Sequence, residues 1–282
     1  MNELALKTLE GGYDLHIHTA PSHFKRLLDD FELVRELDDL NMAGAVIKSH
    51  FMPTQARAEI ANKYAGGKAK LYGAVTLDMP AGGVNPSAVE AELFLGAKMV
   101  WLPTLHAKHH MENSQSYGPL AAKPISLINE EGKLIPEVYE IIALVKQYDA
   151  VLNTGHNSPE ETQMVCLAAL EQGIKVCITH PDNDREKVPV ELEEAMAEKG
   201  AYIDRSYFNL LRKNGVDAKE MARRIRLTGA ERCIMTTDLG QAGNISAPKG
   251  LMAFVSDLLD EGIAQEEIRL MIVENPKKFL GI

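Results

Sequence analysis

Short β-branched runs alternate with amphipathic segments eight times along this chain, a pattern that commits it to parallel strands joined by crossover helices. The strands read as YDLHIH (13–18), GAVIKSH (44–50), KLYGAVTLD (70–78), KMVWLPTLH (98–106), AVLNTGH (150–156), KVCITH (175–180), AYIDRS (201–206) and RCIMTTD (232–238). Helices are expected after them, near 31–42, 54–65, 86–96, 136–148, 159–172, 188–199, 217–228 and 248–261. Helix ends carry their own signals. Ser158-Pro159-Glu160-Glu161 offers a capping hydroxyl, a proline at the first helical position and a reciprocal carboxylate, and Asp217 with Glu220 repeats the box. Gly66, Gly173, Gly200, Gly229 and Gly262 follow helical stretches, where a left-handed residue is wanted.

Eight strand-helix units are the number that closes a (β/α)8 barrel, whereas an open doubly wound sheet stops earlier and shows a glycine fingerprint after its first strand. No Gly-x-Gly-x-x-Gly follows YDLHIH. The expected fold is therefore α/β, a single TIM barrel formed by residues 1–282 as one domain, with its site at the C-terminal face of the strands. The long connection from 107 to 135 is the outlier, and ISLINEEGKLI within it reads as a small hairpin turning at Glu131-Gly132.

Composition removes several classes of function. With 45% hydrophobic and 25% charged residues the chain is neither disordered nor fibrous. Thirty Lys+Arg against forty Asp+Glu give a formal charge of −10, and no basic patch is visible, so neither nucleic acid nor an anionic membrane is an expected partner. The N-terminus has no secretory signature and no window approaches 18 uninterrupted apolar residues, which points to a cytoplasmic protein. Cys166, Cys177 and Cys233 are odd in number and far apart, and read as buried free thiols rather than as a disulfide framework. Homo-oligomerisation is an expectation drawn only from how often soluble enzymes associate.

Six of the nine histidines (His16, His18, His50, His106, His156, His180) fall at or just beyond the C-terminal end of an expected strand, and Asp238 ends the eighth. In a parallel barrel those ends open on one face, and side chains two apart on a strand point the same way. His16 and His18 are thus expected to face the mouth while Ile17 packs outward. Imidazoles and a carboxylate from strands one, five, six and eight supply donors for a divalent ion, most simply Zn2+, with Mn2+ or Fe2+ as alternatives. Lys48 shares a face with His50. Desolvation there favours a neutral amine, which adds CO2 to give a carbamate able to bridge two metals; the rival readings are an ammonium that stabilises an oxyanion and a plain salt bridge.

These residues resemble the amidohydrolase superfamily of metal-dependent hydrolases, and within it a branch opening with DLHIHTAPS and continuing with a VIKSH strand. The likeness rests on His-x-His ending strand one, NTGH and ITHP ending strands five and six, TTD ending strand eight, and the closing ENPKKFLGI. It implies that His16, His18 and Asp238 hold one ion and that His156 and His180 hold a second. The bridging ligand departs from the usual pattern: strand four, the common source, offers only His106, so strand two and Lys48 become the natural donor. Without carboxylation of Lys48 the resemblance implies a single metal, as in the superfamily's deaminases and decarboxylases.

The expected chemistry is attack of an activated hydroxide on an amide, cyclic imide, lactone or ester carbonyl. Asp238 orients the nucleophile and shuttles its proton, and Lys48 or His50 stabilises the oxyanion. Metal affinity is expected to fall as pH drops through about 6, because imidazole must be neutral to coordinate. His106, His109, His110, Arg26, Arg57 and Arg205 are candidates for binding a small anionic substrate, with solvated salt bridges as the rival reading of each arginine. Gly82-Gly83 reads either as an anion-binding turn or as a plain one. A mononuclear metal-dependent decarboxylase or lyase, a phosphoesterase on the same barrel, and a non-catalytic metal-binding barrel are the competing functions.

Overall fold

The structure is a computed structural model describing residues 3–114 and 123–282. Parallel pairing runs from β1 (Tyr13–His18) to β2 (Gly44–Lys48) to β3 (Lys70–Tyr72). It resumes through β4 (Ala74–Thr76), β5 (Met99–Trp101), β6 (Val151–Asn153), β7 (Val176–Ile178), β8 (Tyr202–Ser206) and β9 (Cys233–Thr236). β3 and β4 are two halves of one strand broken at Gly73, where a Cβ would collide with the Gln55 backbone. A parallel bridge from Ile17 to Leu239 closes the ring: the His18 N–H donates to the Leu239 carbonyl and the Asp238 N–H to the His16 carbonyl, each at 2.8 Å. Eight strands therefore form a closed α/β barrel, as the alternation predicts.

Two apolar layers hold it. Inside the ring, Leu15, Val46, Met99, Trp101, Val151 and Ile234 pack together, and Phe279 and Leu280 of the C-terminal helix (Asn275–Leu280) close the floor. Outside, helices over 30–39, 55–64, 86–94, 136–147, 159–171, 190–198, 218–228 and 247–260 cover the strands, each within a few residues of its expected position. Ser158 and Glu161 form the full reciprocal cap. At Asp217 only half of it exists: the Glu220 N–H donates to Asp217, but the Glu220 carboxylate turns to Arg223 and Arg224 instead. The hairpin turns as expected, with the Asn129 N–H donating to the Lys133 carbonyl and Gly132 at φ +73°; residues 115–122 of that connection lie outside the described ones.

β1 departs from strict alternation. Its pairing register shifts between Asp14 and Ile17, so Leu15 and His16 both face the barrel interior while Ile17 packs outward. Asp14 braces this bulge: its carboxylate accepts from the His16 N–H (3.0 Å), the Thr237 N–H (3.1 Å) and the Thr237 hydroxyl (2.5 Å). All three cysteines are free and buried. Among the described residues no helix is long and apolar enough to cross a membrane.

Candidate metal centre

The bulge delivers both strand-one imidazoles to the barrel mouth. His16 Nδ1 lies 3.0 Å from Asp204 Oδ2, and His18 Nδ1 lies 3.1 Å from the Lys48 carbonyl. A carbonyl only accepts, so His18 carries its proton on Nδ1 and a lone pair on Nε2. Burial raises the Asp204 carboxyl to about 6, which still leaves it ionised at neutral pH, and it fixes the same tautomer in His16. Both Nε2 atoms then face one carboxylate oxygen, Asp238 Oδ1, at 3.2 and 3.0 Å.

Two acceptors held at contact distance require a proton or a cation between them. Burial pushes His16 and His18 well below 6.5, so the proton is disfavoured. Asp238 is itself held below the usual carboxylate range: burial opposes its ionisation, but His16, His180 and Lys48 together outweigh that. Zn–N and Zn–O bonds of about 2.1 Å at a tetrahedral angle place neighbouring ligands roughly 3.4 Å apart, close to the separations observed. The donor set thus fits a divalent cation, and His16, His180 and Asp238 present donor atoms within 4.8 Å of one another.

Backbone conformation supports the same placement. Asp238 sits at φ +52° and His180 at φ +25°, left-handed positions that non-glycine residues rarely occupy and that cluster at functional sites. His156 follows Gly155, whose φ of +70° and close approach to the Leu102 and Pro103 carbonyls leave no room for a Cβ. His156 Nε2 and His180 Nε2 are 3.1 Å apart.

Lys48 lies at the base of the cluster, 2% exposed, with Nζ 3.0 Å from His16 Nε2 and 5.1 Å from the Trp101 ring centroid. Burial lowers its pKa, against four surrounding carboxylates led by Asp238. His50 stacks on His18 and donates through Nδ1 to the Thr104 hydroxyl at 2.7 Å, which in turn donates to Asp78. Burial brings His50 down to about 4, keeping it neutral.

A cavity of about 340 Å³ opens over this cluster. Its polar side carries His18, His50, His156, His180, Asp238 and Glu186; its apolar wall is Phe24, Leu105 and Phe208; Lys25, Arg26 and Arg185 give it a cationic rim.

Of the residues expected to bind substrate, only Arg26 lines this cavity. Arg205 is wholly buried on the outer side of β8, paired to Asp182 at 2.5 Å and Glu193 at 2.7 Å, because on that strand Tyr202 and Asp204 face inward and Ile203 and Arg205 outward. His106 is fully buried behind the site, where its Nδ1 accepts from the Met79 N–H. His109 donates to the Arg185 and Glu186 carbonyls and so holds a loop rather than a ligand. Arg57 is spent on Asp30 and on carbonyls of the 19–21 segment. Gly82-Gly83 is a turn capping a short 3-10 segment, away from the cavity. Sequence reasoning passed over Glu186, Arg185, Asp204, Asp78 and the metal-side position of His110. Only Asp204 carried a signal, its place two residues before the end of an inward-facing strand register.

Solved structures with this fold span nearly all of the chain. An amidohydrolase from Pseudomonas aeruginosa is 15% identical, covers 99% of this chain and 97% of its own, and superposes with a TM-score of 0.67. The probable 2-pyrone-4,6-dicarboxylic acid hydrolase of Acinetobacter baumannii, with citric acid bound, is 14% identical over 96% of this chain and 100% of its own, TM-score 0.62. A 2,6-dihydroxybenzoate decarboxylase complexed with 2,6-dihydroxybenzoate is 12% identical over 97% and 100%, TM-score 0.56. The fold is thus the barrel that these solved structures share. Residues 11–204 match the model of a family of unknown function (DUF6282), and the chain belongs to that family. No curated protein matches the sequence.

Proposed function

We propose that this barrel is a metal-dependent hydrolase that attacks an amide, cyclic imide, lactone or ester carbonyl of a small anionic substrate. One observation carries the reading: His18 Nε2 and Asp238 Oδ1, both lone-pair acceptors, face each other at 3.0 Å. His16, His18, Asp238 and His180 would hold the ion, Zn2+ first by its donor set, with Mn2+ or Fe2+ as alternatives.

A bound divalent cation supplies Lewis acidity to water and to a carbonyl oxygen. Asp238, whose side chain is 13% exposed to the cavity, takes a proton from the attacking water and returns it to the leaving group. His50 lines the cavity whereas Lys48 does not; neutral and donating through Nδ1 to Thr104, His50 turns the lone pair of Nε2 away from that bond and can accept a proton or a substrate N–H or O–H, while Lys48 acts on His16 from below, as an ammonium or, once carboxylated, as an anionic ligand. Arg26 and Arg185 bind the substrate's anionic group, and Phe24 and Phe208 cover its apolar part. The citric acid and dihydroxybenzoate bound by two proteins of this fold are carboxylates, which agrees with that rim.

The same rim favours a second reading, decarboxylation of an aromatic carboxylate, because a cationic pair beside the ion would orient the departing group equally well. Asp238→Asn tests the first reading. Hydrolysis of a carboxylate-bearing lactone, imide or ester panel in added Zn2+ or Mn2+ should fall at least a hundredfold while the variant keeps much of its metal; unchanged turnover removes the proton-shuttle role. CO2 release without hydrolysis would select the decarboxylase, and turnover only of phosphate esters a phosphoesterase.

A further inference from the structure

The structure assigns a second cation site to His110, His156 and Glu186. His110 Nδ1 and His156 Nδ1 lie 3.1 Å apart, and each is 3.6 Å from Glu186 Oε1. A triangle with edges of 3.1 to 3.6 Å matches the roughly 3.4 Å expected between neighbouring ligands of a small divalent ion.

Independent evidence for a ligand comes from Glu186 itself. Its carboxylate is 1% exposed, yet neither oxygen makes a hydrogen bond, and the nearest cation-capable groups stand at 3.5 Å or more. A buried carboxylate left this way is strongly disfavoured unless something positive completes it. The position is also built. The helix over 108–113 is fastened to the loop carrying Glu186 by His109, which donates to the Arg185 and Glu186 carbonyls at 3.1 and 3.0 Å, and by Lys187 Nζ donating to Asn113 Oδ1 at 2.7 Å. Glu186 and His156 line the cavity, so an ion has a path in.

This site shares only His156 with the pair of second-ion ligands that the strand ends suggest. It needs no bridging lysine, and it draws one donor from the short helix over 108–113 and one from the loop carrying Glu186. It deepens the hydrolase reading by filling the same mouth, and its preferred ion is Zn2+ or Co2+, given two imidazoles and one carboxylate.

Metal counting and calorimetric titration with Zn2+ and Co2+ on the EDTA-stripped full chain decide it. Wild type should take up two equivalents, with two resolvable Co2+ absorption signals. Glu186→Gln and His110→Ala should each retain one equivalent and lose one of the two signals, with the affinity of the lost site down at least a hundredfold. Asp238→Asn should weaken the other site. One equivalent in wild type, unchanged in both Glu186→Gln and His110→Ala, overturns the second site while leaving the hydrolase reading intact; no equivalents at all would remove both. If Glu186→Gln fails to fold by circular dichroism, His110→Ala alone decides, because its donor is contributed from outside the barrel.

Discussion

At the scale of single residues the centre depends on side chains that never touch a ligand. Asp14 accepts three hydrogen bonds that hold the β1 bulge and the start of the 237–239 segment. Replacing it with alanine leaves three buried donors unsatisfied, for a loss of about 3 kcal/mol, and lets the strand return to simple alternation. Asp14→Ala should therefore lower both the denaturant midpoint of the metal-free protein and its Zn2+ affinity. A destabilised variant with unchanged affinity would show that the bulge does not set the positions of His16 and Asp238. Much of the cluster was legible in the sequence: His18 ends β1, His156, His180 and Asp238 follow β6, β7 and β9 by two or three residues, and all four line the cavity, with His16 on the same side of β1 beneath them. Arg205 was misplaced because its neighbour Asp204 holds the inward register. Glu186 and Arg185 were invisible because a loop has no period from which a direction can be read.

At the scale of elements, the barrel depends on a few backbone contacts that admit no side chain. Gly240 adopts φ +138°, and a Cβ there would lie 1.8 Å from the His18 carbonyl oxygen. That contact belongs to the seam where β1 meets the chain after β9, two residues from Asp238. Gly240→Ala must push the seam open or twist the 238–240 segment, and a substitution at such a backbone costs more than 1 kcal/mol before any clash is counted. The expected result is a melting temperature lowered by several degrees together with at least tenfold weaker metal binding. An equivalent change at exposed Gly132, whose φ is also positive but which has nothing within 4 Å, should lower stability only slightly and leave the metal untouched. Equal losses from the two changes would mean that backbone strain alone, not the seam, is what matters. Helix positions were legible because caps and apolar periodicity are local. The split at Gly73 was not, since it arises from the Gln55 backbone of another unit.

At the scale of the whole molecule, a mouth lined by buried ionisable groups makes stability depend on pH from two sides. Burial holds His16, His18 and His156 well below 6.5 and His50 at about 4. Each of these contributes stability that is present above the unfolded value of 6.5 and lost as pH falls below it, at up to about 1.4 kcal/mol per pH unit for each group. The opposite sign belongs to Asp14 and Glu193, which burial raises to about 7, and to Asp204, which it raises to about 6. Their contribution is present below the ordinary carboxylate range and is lost as pH rises through those values. His180 is also raised, because Glu186 outweighs its burial, and acts in the same direction as those carboxyls. On the acid side the four lowered imidazoles outnumber these three carboxyls, with His180 protonated in both states, and on the alkaline side the four are neutral in both states and drop out. The EDTA-treated protein should accordingly melt highest between pH 6 and 7 and lower at both pH 5 and pH 8. Added Zn2+ should raise the melting temperature more at pH 8 than at pH 5, since only neutral imidazole coordinates and binding to the folded state adds directly to its stability. A metal-free melting temperature that climbs steadily from pH 5 to pH 8 would contradict the raised carboxyls, and a Zn2+ effect independent of pH would contradict ligation by these histidines.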